Sequence, residues 1–132
     1  MRLLSNHPTE VLILFFLIVT FLQSGIDKLL DWEGNVSFIT EHFKNSPLKN
    51  GVPVLLAVIT IMEIIASLFM IFGVYQLYTS EVKEISLLGI ELSAITLIFL
   101  LVGQRLAKDY AGAMSLAVYF IISIIGVYLL NS

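Results

Sequence analysis

Glu63 is the residue whose type and position most directly suggest chemistry. It is the only charged residue in the apolar stretch from about 52 to 75, and it lies about 16 Å from either end of that stretch. A charged side chain at that depth in a bilayer costs roughly 2.5–3.5 kcal/mol on insertion scales. Thr60 and Ser67 share its helical face, which favours a cavity or another helix over lipid. We therefore predict a proton or ligand site at Glu63, and a neutral glutamic acid that hydrogen-bonds across helices is the structural alternative.

A polar stripe at the end of the first apolar stretch provides candidate companions for Glu63. Gln23 lies within about a turn of the same depth, and Asp27 follows one turn later. Tyr119 lies near the middle of the last apolar stretch, where its hydroxyl needs a partner. We expect Glu63, Gln23, Asp27 and Tyr119 to form the proton or ligand site, with a structural ion-pair network as the alternative. The stripe, at helical spacing, consists of Thr20, Gln23, Ser24, Asp27 and Asp31.

Charged residues cluster at one end of the predicted spans. Lys28 ends the first span and is long enough to extend outward to water. Arg105, Lys108 and Asp109 lie at the end of the third span, which reaches the same membrane surface after two further crossings. We expect these four residues to form a charged mouth below Glu63, although plain interfacial anchors would show the same pattern. Arg105 is the best candidate for an anion or a quinone carbonyl, because its guanidinium carries five donors.

Glu91 is a second acidic residue inside an apolar stretch. It lies about six residues from the start of the third span, near enough to that surface to reach water with modest thinning of the bilayer. Its neighbours Leu87 and Ile95, one turn away on either side, make its own face apolar. We expect a structural role or a contact between subunits.

Four apolar stretches must position these side chains. The chain has 132 residues, of which 58% are hydrophobic and 13% charged, against about 25% charged in soluble domains. A bilayer core of about 30 Å needs roughly 20 apolar residues in a helix. The sequence predicts an all-α integral membrane protein, a single four-helix transmembrane bundle in one domain over residues 1–132. The spans are about 9–30, 52–75, 85–106 and 111–130, and a short segment at about 36–45 is either an interfacial helix or a solvated loop.

Lysine and arginine residues indicate the orientation of the spans. Arg2 and Lys83 lie on one side, whereas the first and third connections carry five basic residues. Cytoplasmic loops are the ones enriched in Lys and Arg, so both termini are expected outside the cytoplasm. The five residues are Lys28, Lys44, Lys49, Arg105 and Lys108.

Composition excludes several classes of function. The chain has no cysteine, and its two histidines, His7 and His42, lie outside the spans. We therefore expect no metal site, no haem held by two histidines, and no cofactor bound covalently or through Cys or His. The net charge of −3 provides no basic surface for nucleic acid, so membrane lipid is the partner that composition predicts.

Three motifs together resemble the DoxX family of small four-helix proteins of the bacterial inner membrane. Residues 25–29 (Gly-Ile-Asp-Lys-Leu) are similar to the family's Gly-x-x-Lys-Leu signature, and Glu63 matches a polar residue in its second span. Residues 103–105 (Gly-Gln-Arg) and 109–113 (Asp-Tyr-Ala-Gly-Ala) are similar to its corner between spans three and four. The resemblance implies a multi-pass protein of the bacterial inner membrane, in which the termini that the charge count puts outside the cytoplasm would be periplasmic.

The resemblance also implies a membrane subunit of a quinone- or sulfur-linked redox system. Such a subunit would bind a quinone and associate with a soluble or membrane redox subunit. Two alternatives stay open: a small proton-coupled transporter working as a homo-oligomer, and a non-catalytic membrane anchor or assembly factor. Whether the chain is itself an enzyme is left open by all three.

Overall fold

The fold is a bundle of α-helices, seen in a computed structural model that describes residues 7–131. Arg2, which enters the count of basic residues, lies outside this range. Within it the chain forms helices and no strand, which confirms the predicted fold class. The helices are α1 (Pro8–Leu30), α2 (Trp32–His42), α3 (Val52–Ser80), α4 (Glu84–Leu106) and α5 (Tyr110–Leu130).

Four of these helices are long and apolar enough to cross a membrane, namely α1, α3, α4 and α5. At 1.5 Å per residue they are about 32–44 Å long, which exceeds the roughly 30 Å of a bilayer core. The longest, α3, continues to Ser80 instead of ending near Tyr75, and Leu77 in this extension is buried in the core. The outer surfaces of the four helices carry many exposed large hydrophobic side chains, as contact with lipid requires.

Side-chain caps mark the start of two helices, α2 and α5. Asp31 caps α2 by accepting a hydrogen bond from the backbone N–H of Gly34 at 3.2 Å, and Asp109 caps α5 through Gly112 at 3.0 Å. Lys108 has a φ of 62°, in the left-handed region, and so turns the chain sharply between α4 and α5. These caps place α2 and the α4–α5 corner at one end of the bundle.

Small residues set how closely α3 and α4 approach each other. At the end near their connection, a Cβ added to Gly73 would lie 2.6 Å from the Cα of Ser86. One added to Gly89 would lie 2.9 Å from the backbone nitrogen of Met70. Backbones therefore touch here, as they do where glycines line membrane helix interfaces. At the other end the facing side chains are large, including Leu56 on α3, and the two helices leave a groove between them.

The connection between α1 and α3 contains a helix, α2, that runs from Trp32 to His42. It begins earlier than the expected segment at 36–45, because Asp31 caps it directly after α1. None of its residues is buried, and it packs against α3 and α1. An exposed helix at one end of the bundle is the arrangement expected of a helix in the membrane interface.

Candidate functional site

Glu63 forms an ion pair with Lys28 inside the bundle. The Lys28 Nζ lies 2.9 Å from the Glu63 Oε1, and the side chains are 15% and 3% exposed. Lys28 Nζ also donates to the hydroxyl of Ser24, one turn earlier on α1, and lies 3.3 Å from the carbonyl oxygen of that residue. The buried carboxylate therefore has a charged, hydrogen-bonded partner, which is what burial of a charge requires.

The close approach of α1 and α3 explains why Lys28 turns inward. Gly25 lies against Ile64, and a Cβ at Gly25 would come within 3.9 Å of the Glu63 Cβ. With no side chain at position 25, α1 can approach near enough for Lys28 to reach the carboxylate. The structure thus directs Lys28 to the interior, whereas its length alone predicted an outward position.

The polar neighbours of Glu63 on its own helix do not bind its carboxylate. The Thr60 hydroxyl donates to the carbonyl oxygen of Leu56 at 2.7 Å, and the Ser67 hydroxyl donates to the carbonyl oxygen of Glu63 at 2.7 Å. Both hydroxyls are satisfied within α3. The ion-pair partner of the carboxylate comes from α1 instead.

The other residues expected around Glu63 lie apart from it. Gln23 and Asp27 are exposed on the outer face of α1. The Tyr119 ring contacts Phe16, with ring centroids 6.0 Å apart. Phe16 precedes Lys28 by twelve residues, or about 18 Å along α1. The structure therefore joins Glu63 to Lys28 and not to Gln23, Asp27 or Tyr119.

The expected charged mouth is divided among separate contacts. Arg105 lies over the ring of Tyr110, 5.5 Å from its centroid, which is a cation–π geometry. Lys108 is exposed. Asp109 caps α5 and lies 3.5 Å from the Nε2 of His42.

His42 is a member of this end of the bundle that the sequence did not indicate as a site residue. Its Nε2 lies 2.9 Å from the Gln104 Oε1 and, when protonated, donates to it. This contact joins the end of α2 to the end of α4. The available signal was the position of His42 three residues after Ile39, on the apolar face of α2.

A groove of about 510 Å³ lies between the beginning of α3 and the end of α4, beside α2. Lys28 contributes to its wall, as do His42 and Gln104. The rest of the wall is mainly apolar, so the groove suits an apolar molecule with one or two hydrogen-bonding atoms. Its lining includes Ile39, Leu55, Val58, Ile59, Phe99 and Val102.

Among residues 7–131, no three His, Asp or Glu side chains lie close enough together to hold a metal ion. The chemistry available at this end of the bundle is hydrogen bonding and charge stabilisation by Lys28, Glu63 and His42.

Comparison with known proteins places the chain in a family. Its sequence matches the model of the family described as DoxX over residues 11–107. The matched region runs from α1 to the end of α4, and contains both members of the ion pair and the whole lining of the groove. No curated protein and no solved structure matches the chain. Because the matched region covers well over half of the sequence, this membrane protein belongs to the DoxX family.

Proposed function

We propose that this protein is the membrane subunit of a quinone-linked redox system and that the groove between α3 and α4 holds the quinone. The observation that carries the proposal is the combination of an apolar groove with Lys28 in its wall. Its volume of about 510 Å³ lies within the range of small-molecule sites.

The wall of the groove matches the chemistry of a quinone. A quinone is apolar except for two carbonyl oxygens, which accept hydrogen bonds. The Gln104 amide and the His42 ring carry N–H donors, and Phe99 and Val58 supply apolar surface for the ring and its tail.

The electrons come from a partner in this proposal. Reduction of a quinone to a quinol consumes two electrons and two protons. The chain has no cysteine with which to bind an iron–sulfur cluster or to exchange disulfides. A partner subunit that oxidises a reduced sulfur compound would deliver the electrons, and this chain would hold the quinone in the membrane.

The charge distribution supports an orientation with the groove toward the cytoplasm. Lys44, Lys49, Arg105 and Lys108 lie at the end of the bundle that holds the groove, whereas Lys83 lies at the other end. With Lys28 counted as part of the interior, and with Arg2 added to Lys83 from the sequence, four basic residues oppose two. For a protein of the bacterial inner membrane, the positive-inside rule supports an orientation with both termini in the periplasm.

Quinone binding can be tested with a variant that fills the groove. The purified protein in lipid nanodiscs would be titrated with short-chain ubiquinone and menaquinone analogues, and the Kd measured by calorimetry. Val58→Trp places a large ring in the groove and should weaken binding at least about tenfold, or 1.4 kcal/mol. Leu68→Trp, at an exposed position of the same helix about 15 Å from Val58, is the matched control and should leave the Kd within about twofold, since Leu68 does not line the groove. Equal affinities for both variants would contradict the proposal.

The buried ion pair supports a second candidate, a proton-coupled transporter. A carboxylate and an ammonium joined across two helices can exchange a proton as a substrate cation comes and goes. Proteoliposomes with an imposed pH gradient would then export a hydrophobic cation such as ethidium, and Glu63→Gln would abolish the flux. Absence of gradient-driven flux with the unmodified protein would remove this candidate.

An anchor or assembly factor is the outcome left if neither activity is found. Deletion of the protein would then release its redox partner from the membrane, and Glu63→Gln would not. Fractionation of cells into membrane and soluble parts measures this directly.

A further inference from the structure

Glu91 is an acidic side chain on the lipid-facing surface of the bundle. It is exposed, whereas Gly89 and Ile90 directly before it are buried. Within residues 7–131, Glu91 makes no hydrogen bond and no ion pair. It follows Glu84, the first residue of α4, by seven residues, or about 10 Å along the helix.

In a single copy of the chain, the surroundings of Glu91 leave its carboxyl group without a hydrogen-bonding partner from the bundle, which is energetically unfavourable. The face of α4 that carries it points away from α3 and α5, so nothing in the bundle covers the carboxyl. A polar group in the hydrocarbon region needs a hydrogen-bonding partner, because lipid tails provide none. The carboxyl is therefore satisfied from outside the fold of one chain, either by water drawn in through bilayer thinning or, at lower cost, by a polar group of another chain.

The exposed face of α4 has the spacing of a helix-pairing seam. Its members follow one another at intervals of three, four and three residues, the a and d positions of a heptad. The three apolar members are between 45% and 53% exposed, so they are available for contact. This seam consists of Leu88, Glu91, Ile95 and Ile98.

We propose that a second copy of this chain packs against this seam, α4 against α4, about a two-fold axis along the membrane normal. Copies inserted in the same orientation bring the same residue to the same depth, so Glu91 of one copy meets Glu91 of the other. A neutral carboxyl group both donates and accepts a hydrogen bond, and two such groups satisfy each other. This self-complementarity distinguishes a second copy from an unrelated partner, which would need its own polar residue at that depth.

The charged ends of α4 are compatible with this contact. Arg105 lies about 21 Å from Glu91 along the helix, where it is already held over Tyr110. Paired membrane helices commonly cross at about 20°, so their ends separate away from the crossing point. The inference is independent of the proposed function, because no residue of the seam lines the groove.

Cysteine cross-linking tests the dimer directly, since the chain contains no cysteine of its own. Leu88→Cys and Ile95→Cys place a thiol on the seam, and Ile61→Cys on α3 and Ile121→Cys on α5 are equally exposed controls on other faces. Each variant would be oxidised in native membranes and examined by gel electrophoresis. Because disulfide formation requires Cβ atoms about 4 Å apart, we expect seam variants to form at least about ten times more dimer than the controls. Equal cross-linking on all faces, or none on the seam, would overturn the proposal.

Variants of Glu91 in the Leu88→Cys background test the carboxyl pair. Glu91→Gln should retain the cross-link, because two amides also pair with each other. Glu91→Leu should reduce the cross-link at least about fivefold. A leucine–leucine contact gains no hydrophobic stabilisation in a membrane, because lipid tails are as apolar as leucine. Both changes are at an exposed position, and a retained monomer peak in size-exclusion chromatography checks the fold. A cross-link unaffected by Glu91→Leu would refute the role of Glu91.

Discussion

Glu63 and Glu91 are both acidic residues within long apolar helices, but the bundle buries Glu63 and leaves Glu91 exposed. Glu63 is 3% exposed and paired with Lys28 at 2.9 Å, whereas Glu91 is exposed and has no partner in the described part of the chain. One carboxyl is satisfied within the fold, and the other requires a group from outside it. The comparison teaches that helix orientation, more than the presence of a charge, decides the role of an intramembrane acid.

Neighbouring residues on the same helix predict this difference only in part. Thr60 and Ser67 flank Glu63, and they correctly indicate that its face points inward, although neither binds the carboxylate. Leu87 and Ile95 flank Glu91 and indicate that its helical face is apolar. The partner of Glu63 comes from a residue 35 positions away, which no local pattern reveals.

The largest expected effect is on the buried pair. Lys28→Met leaves Glu63 buried without its counter-charge, and we expect the free energy of unfolding to fall by about 3–5 kcal/mol. Denaturant unfolding in mixed micelles, followed by circular dichroism, measures this. The double variant Lys28→Met with Glu63→Leu removes both charges and should recover most of the loss. A double variant as unstable as the single one would show that the two charges are not coupled.

A smaller effect is expected at Glu91. Glu91→Leu removes an exposed carboxyl, so the free energy of unfolding of the detergent-solubilised monomer should change by less than about 0.5 kcal/mol. Insertion of an isolated α4 segment by the translocon should in contrast improve by about 1–3 kcal/mol, since Glu91 lies off the centre of the helix. A destabilised monomer would show that Glu91 has a partner within its own chain and would break the comparison.

The smallest effect is expected at the exposed ion pair of Lys44 and Glu41, which lies outside the spans. The Lys44 Nζ is 2.7 Å from the Glu41 Oε1. The hydrogen bond and the charge of Glu41 raise the pKa of Lys44 from its ordinary value of 10.5. A lysine whose pKa is raised by folding stabilises the fold at neutral pH. This stabilisation is lost as the pH rises through the raised pKa. Water screens this pair, so Lys44→Ala should leave the unfolding midpoint unchanged at pH 7. A loss comparable to that of Lys28→Met would mean that distance, and not burial, sets the strength of these pairs.

Much of the fold follows from the sequence, whereas the arrangement of the site does not. Four apolar stretches and their connections predict the four long helices, and the structure confirms the fold class. The roles of Glu63, Gln23, Asp27 and Tyr119 in a proton or ligand site stay predictions. Helical spacing places residues on a face, but it does not say which other helix that face meets, so Lys28 was expected at the mouth.

Composition and local hydrogen bonding determined that this chain forms membrane-spanning helices, because a backbone in lipid must satisfy its own N–H and C=O groups. They also determined where α2 and α5 begin, through the caps Asp31 and Asp109. Only the tertiary structure decided that Lys28 meets Glu63, that His42 meets Gln104 and that a groove lies between α3 and α4. The physical reason is that glycines such as Gly25 and Gly73 set the distances between helices, and those distances depend on residues far apart in the chain.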